Sequence, residues 1–140
     1  MIDDSKFPDV YLTLEDITSD IPYKRFITKL DNLYETNSEN NQRFCLYVET
    51  LNVRSIHINY LYSFGKYLCT LKSRRKILKF VEIKVYDQNV YNILDVLFTW
   101  FATPVSPTKI KFWSGGYTDS AEERKVIKTK VFEPKDYKIE

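Results

Sequence analysis

The sequence predicts an α/β fold: one domain with a mainly parallel or mixed sheet and about three helices. Three observations lead there. The stretch Phe44–Val48 (FCLYV) is a short apolar run that ends in polar Glu49 and Thr50. A run without polar alternation reads as a central strand buried on both faces. It is followed by a helical pattern over Ile58–Lys72, and the same strand–helix alternation recurs along the chain with short connections, which favours right-handed crossovers.

Taken in order, residues 1–8 (MIDDSKFP) are acidic and lack apolar periodicity, so they are expected to be a flexible tail. Val10, Leu12 and Leu14 alternate with Tyr11, Thr13 and Glu15, a strand with one buried face. Asp20 is a candidate N-cap, and Pro22 falls in a first helical turn, where its missing donor costs little. Tyr23, Phe26, Ile27, Leu30, Leu33 and Tyr34 then repeat at helical spacing. The polar run ETNSENNQ is expected to end that helix.

In the second helix Ile58, Leu61, Tyr62, Gly65, Leu68 and Cys69 share one face. Tyr60, Phe64, Tyr67 and Leu71 form a stripe beside it. The apolar arc is roughly 220°, where a helix lying on a sheet needs little more than about 100°. Ile77–Val85 reads as the next strand and Asp87–Asn89 as a helix start with Asn89 as cap. Val90–Phe101 is a second broadly apolar helix, ended by Pro104 and Pro107. Lys109–Trp113 and Val126–Val131 read as strands, Ala121–Lys125 as a helical turn, and residues 133–140 as a second tail. Nothing in composition divides residues 1–140 into more than one domain, a length that can bury a core unaided.

The excess apolar arc of the two helices predicts an interface. Tyr60, Phe64, Tyr67, Leu71, Val96 and Trp100 are the residues expected to face outward, where aromatic side chains suit a protein partner or a second copy in a homodimer. The opposing expectation is that the chain beyond Ser114 folds over these helices. Net charge is only +2, yet it is uneven. The first 41 residues are acidic, whereas Lys66–Lys84 is basic, with Arg74, Arg75, Lys76 and Lys79 as its densest part. A polyanion such as nucleic acid could use that patch, but a solvated helix end and loop is the default reading of such a cluster.

No catalytic constellation is visible, so the chain does not read as an enzyme. His57 is the single histidine, without the spacing of a metal site. Gly115-Gly116 lacks any phosphate-binding fingerprint, and no cofactor is expected. Ser55, His57 and Asn59 nonetheless sit at a strand-to-helix junction, where α/β sheets often hold ligands. Cys45 and Cys69 read as buried thiols, a usage of reducing compartments, and the sequence leaves open whether they pair. With neither a signal peptide nor a membrane span in the pattern, a cytoplasmic location is expected. The Asn-, Lys-, Ile- and Tyr-rich composition also fits a structural part of a larger assembly, such as a large DNA virus particle.

The element order and the segment Val53–Leu61 (VRSIHINYL) resemble the STAS domain, the fold of anti-sigma-factor antagonists and of sulfate-transporter tails. That family carries a motif like DSSGL with a phosphorylatable serine. Here His57 stands in the place of the aspartate, Asn59 in that of the serine, and Leu61 matches. The resemblance implies a binding or regulatory module without NTPase activity. An amide at position 59 cannot be phosphorylated.

Overall fold

A six-stranded sheet is laid out in strict chain order, so that each strand pairs with the one before it and the one after it. The computed structural model describes residues 2–14, 19–51, 58–70, 76–113 and 125–134. The strands are β1 (Ile2–Lys6), β2 (Asp9–Thr13), β3 (Phe44–Glu49), β4 (Leu78–Val85), β5 (Thr108–Trp113) and β6 (Val126–Phe132). The helices are α1 (Asp20–Glu39), α2 (Ile58–Tyr67) and α3 (Gln88–Val96), the last running into a π-helical turn over Leu97–Phe101. Strands β2 to β5 run parallel, while β1 and β6 are antiparallel at the two edges. The mixed α/β class read from the sequence is therefore observed.

This order has a geometric consequence. Each of the three parallel connections moves one strand onward in the same direction. Right-handed crossovers that all step the same way place their helices on the same side of the sheet. The contacts agree. Phe26 of α1 packs on Phe64 of α2 with centroids 5.8 Å apart, and a Cβ at Gly65 of α2 would lie 2.6 Å from Leu97 Cδ2 beyond α3. Beneath them, Tyr34 of α1 meets Phe44 of β3, and Tyr91 of α3 stacks on Phe112 of β5. One alternate set of strand residues supplies the floor of this core: Val10 and Leu12, Leu46 and Val48, Val81 and Ile83, then Ile110 and Phe112, all buried. Each such side chain removed from water contributes about 1.5–3 kcal/mol.

Several boundaries differ from the sequence reading, each for a local reason. Residues 2–6 form β1 instead of a tail, held by backbone pairing of Ile2 with Leu12 and Asp3 with Tyr11, which needs no apolar pattern. The turn into β2 closes with Phe7 N–H donating to Asp4 O at 3.0 Å and contains a cis Phe7–Pro8 bond. Helix α1 runs through most of the polar stretch expected to end it. Asn37 is buried there, and its side-chain amide donates to Leu33 O at 2.8 Å. Helix α2 is shorter than expected. After Tyr67 the bonds tighten to three-residue spacing (Cys69 N to Lys66 O, Thr70 N to Tyr67 O), and the Thr70 hydroxyl also donates to Tyr67 O. Asp87, and not Asn89, caps α3. Its carboxylate accepts from Asn89 N at 2.7 Å and Val90 N at 3.3 Å, the two donors that an N-cap serves.

Gly65 is where α2 meets the π turn, and its lack of a side chain permits that approach. We expect Gly65→Val to lower stability by about 2 kcal/mol, because the added branches collide with buried Leu94 and Leu97. Urea denaturation monitored by circular dichroism measures it; an unchanged midpoint would mean the helices are not in this contact.

Candidate functional site

The other face of the sheet carries no helix among the described residues. Its side chains are the second alternate set of the same strands, and the register aligns them in rows. One row reads Tyr11, Tyr47, Glu82, Lys109, Val131 from β2 to β6; the next reads Thr13, Glu49, Lys84, Lys111, Thr129. A third begins Asp9, Cys45, Phe80. All are half-buried or exposed except Cys45, which is buried.

Aromatic rings hold the β2–β4 part together. Tyr11 and Tyr47 stack with centroids 5.0 Å apart, and Phe80 meets Tyr47 edge-on at 5.6 Å. Lys6 lies 5.9 Å above the Tyr11 ring, so these rings already accept a cation. Charges alternate beyond them. Glu82 pairs with Lys111 at 3.1 Å. Glu49 accepts from Tyr86 OH at 3.0 Å and from Leu51 N at 3.1 Å, both neutral donors. Lys84 turns its ammonium over the Trp113 ring at 5.7 Å, and the Trp113 indole N–H is buried without a hydrogen-bond partner among the described residues. A groove of about 300 Å³ runs through this surface, lined by Tyr11, Thr13, Tyr47, Glu49, Glu82 and Lys84 among others.

The environment sets the protonation states. Loss of solvation, helped by the Asp9 carboxylate, pushes the Tyr47 phenol up to about 12, so it remains a hydrogen-bond donor at neutral pH. Burial also raises the thiols of Cys45 and Cys69, the latter to about 11. Both cysteines are free, and neither is activated as a nucleophile. Among the described residues no cluster of three or more His, Cys, Asp or Glu could hold a metal ion, and no helix is long and apolar enough to cross a membrane.

The helical patch predicted from sequence is split by the structure. Because β2 pairs with β3, α1 lies beside α2 and uses the arc that had been assigned to the outside. Phe64 is only 1 % exposed, Tyr67 donates to Asp31 of α1 at 2.5 Å, and Tyr60 donates to Asp20 at 2.9 Å. The outward placing of Phe64 is thus corrected, and Tyr60 and Tyr67 belong to the α1–α2 seam. Val96 and Trp100 do face outward. Trp100 is 77 % exposed and its neighbour Phe101 72 %, because the π turn swings both out while Leu97 and Phe98 stay in the core. Leu71, Ser55, His57, Arg74 and Arg75 lie outside the described residues. Asn59, Lys76 and Lys79 are exposed.

The sequence reading missed the open face because β3 had been taken as buried on both sides. Tyr47 instead points away from the helices and is half-covered by its neighbours Tyr11 and Phe80. A signal was present in β4 and β5, where Glu82, Lys84, Lys109 and Lys111 alternate with apolar residues, the pattern of a sheet with one wet face. In comparisons with known proteins, no family model, no curated protein and no solved structure matches the chain.

A raised phenol is a testable property of this face. Neutral Tyr47 is favoured by the fold, so its contribution to stability is complete below pH 10 and lost as pH rises through about 12. The difference between ultraviolet titrations of wild type and Tyr47→Phe is expected to show a midpoint near 12. A midpoint at the ordinary value of 10 would place Tyr47 in open water.

Proposed function

We propose that this protein is a non-enzymatic protein-interaction module whose contact surface is the helix-free face of its sheet. The observation that supports this most is the contrast between the two faces. One is closed by three helices, whereas the other presents stacked tyrosines and alternating charges over a shallow groove. Aromatic residues rimmed by charge are the usual chemistry of protein contacts. The charge pattern disfavours a polyanion partner: Glu49 lies in the row of Lys84 and Lys111, and Glu82 in that of Lys109, so carboxylates interrupt the cation track that a phosphate backbone would follow.

The exposed trio Val96, Trp100 and Phe101 at the end of α3 supports a second contact site of smaller extent. A photo-crosslinking amino acid placed singly at positions 11, 109 and 100 separates the two. Protein adducts are expected from 11 and 109. Adducts from 100 alone would move the interface to the helical end.

A further inference from the structure

The open face is polarised in a way that selects its occupant. Its β2–β3 half carries Asp9, Glu49 and the tyrosine pair; its β4–β5 half carries Lys84, Lys109 and Lys111, with one carboxylate, Glu82 of β4, taken up by Lys111. Glu49 and Lys84 are register partners on adjacent strands, yet they do not form an ion pair. Glu49 is turned to Tyr86 and Leu51, and Lys84 to Trp113. Lys109 likewise has no ion pair among the described residues. Among the described residues, therefore, an anion without a cation stands on one side of the sheet midline, and two cations without anions, Lys84 and Lys109, stand on the other.

Resting on the interaction-module reading above, we propose that the occupant is a second copy of this chain, packed sheet to sheet about a two-fold axis parallel to the strands between β3 and β4. That rotation exchanges left and right halves and leaves position along the strands unchanged. It lays β2 over β5 and β3 over β4. The two free charges then meet twice, Glu49 against Lys84 of the partner copy and the reverse. In the next row Lys109 falls over the Tyr11 ring of the other copy, where Lys6 already shows a cation to be accepted, and Tyr47 OH points to the other copy's Glu82. A two-fold axis perpendicular to the strands would instead set β3 on β3 and acid on acid. Isologous self-complementarity of this kind is how closed dimers form.

The available area fits a reversible contact. Six strands spaced 4.8 Å apart and about five residues long cover roughly 480 Å² per copy, on the order of 1,000 Å² for the pair. That is the lower limit of specific interfaces, so a dimer in the micromolar range is expected.

Two charge reversals test the geometry. Glu49→Lys leaves Lys against Lys84 in both symmetric contacts, and Lys84→Glu leaves Glu against Glu49. Mixed together, the two variants face each other with opposite charges at both contacts. Sedimentation velocity from micromolar to near-millimolar concentration is expected to show wild type dimerising. Each variant alone should be weakened more than about tenfold, and the equimolar mixture should regain the dimer. Wild type that stays monomeric throughout would overturn the proposal, as would variants that dimerise normally or a mixture that does not recover. Should a reversal lose its circular-dichroism spectrum, Glu49→Gln and Lys84→Gln replace the pair, each expected to weaken the dimer with the fold intact. Unweakened Gln variants count against the proposal. A monomeric wild type that still crosslinks a different protein from position 11 removes the second copy and leaves the interaction-module reading standing.

Discussion

The direction of the three crossovers governs this molecule. Had one of them stepped back across the sheet, its helix would have landed on the opposite face, and both sides would have been core. Because β2, β3, β4 and β5 follow one another without reversal, α1, α2 and α3 share one side. Their mutual packing, through Phe26, Phe64 and Gly65, follows from that crowding.

The price of a one-sided layer is a second face that must tolerate water while its strands stay paired. The side chains there meet that demand in different ways. Tyr11, Tyr47 and Phe80 shield one another as a cross-strand aromatic set, a pairing that also stabilises the strands beneath. Glu82 and Lys111 neutralise each other. Glu49, Lys84 and Lys109 are left without an ion pair among the described residues, and these are the charges that the proposed contact would use. The edges are handled separately: β1 is short and acidic, and β6 is tied to the helical layer by Lys130, whose ammonium pairs with Asp95 of α3 at 2.5 Å.

Much of the fold was legible in the sequence because periodicity reports burial. Phe44–Val48, the helix beginning at Ile58 and the strand ending at Val85 emerged near their true limits. Which neighbour buries a residue was not legible. The wide apolar arc of α2 was real, but periodicity cannot say that α1 takes up Phe64 and Tyr67 or that Asp31 and Asp20 cap the phenols of Tyr67 and Tyr60. Strand β1 escaped notice because its pairing is carried by the backbone and only Ile2 packs against the core, which leaves no apolar alternation to read. The open face escaped because FCLYV looks uniformly apolar, although Cys45 and Tyr47 point away from Phe44 and Leu46. Only the alternation in β4 and β5 carried that information. Trp100 was placed outward correctly, whereas the adjoining exposure of Phe101 depends on a π turn that no residue pattern announced.

The central claim is that one side of the sheet is core and the other is free to bind. Hydroxyl-radical footprinting at two protein concentrations tests it most directly. In dilute solution Tyr11, 41 % exposed, should react readily while Phe64 and Tyr34 on the helical side stay protected; on concentrating, protection should appear at Tyr11 and Tyr47. Tyr11 protected as fully as Phe64 in dilute solution, with new protection on concentrating confined to Trp100, would contradict the account.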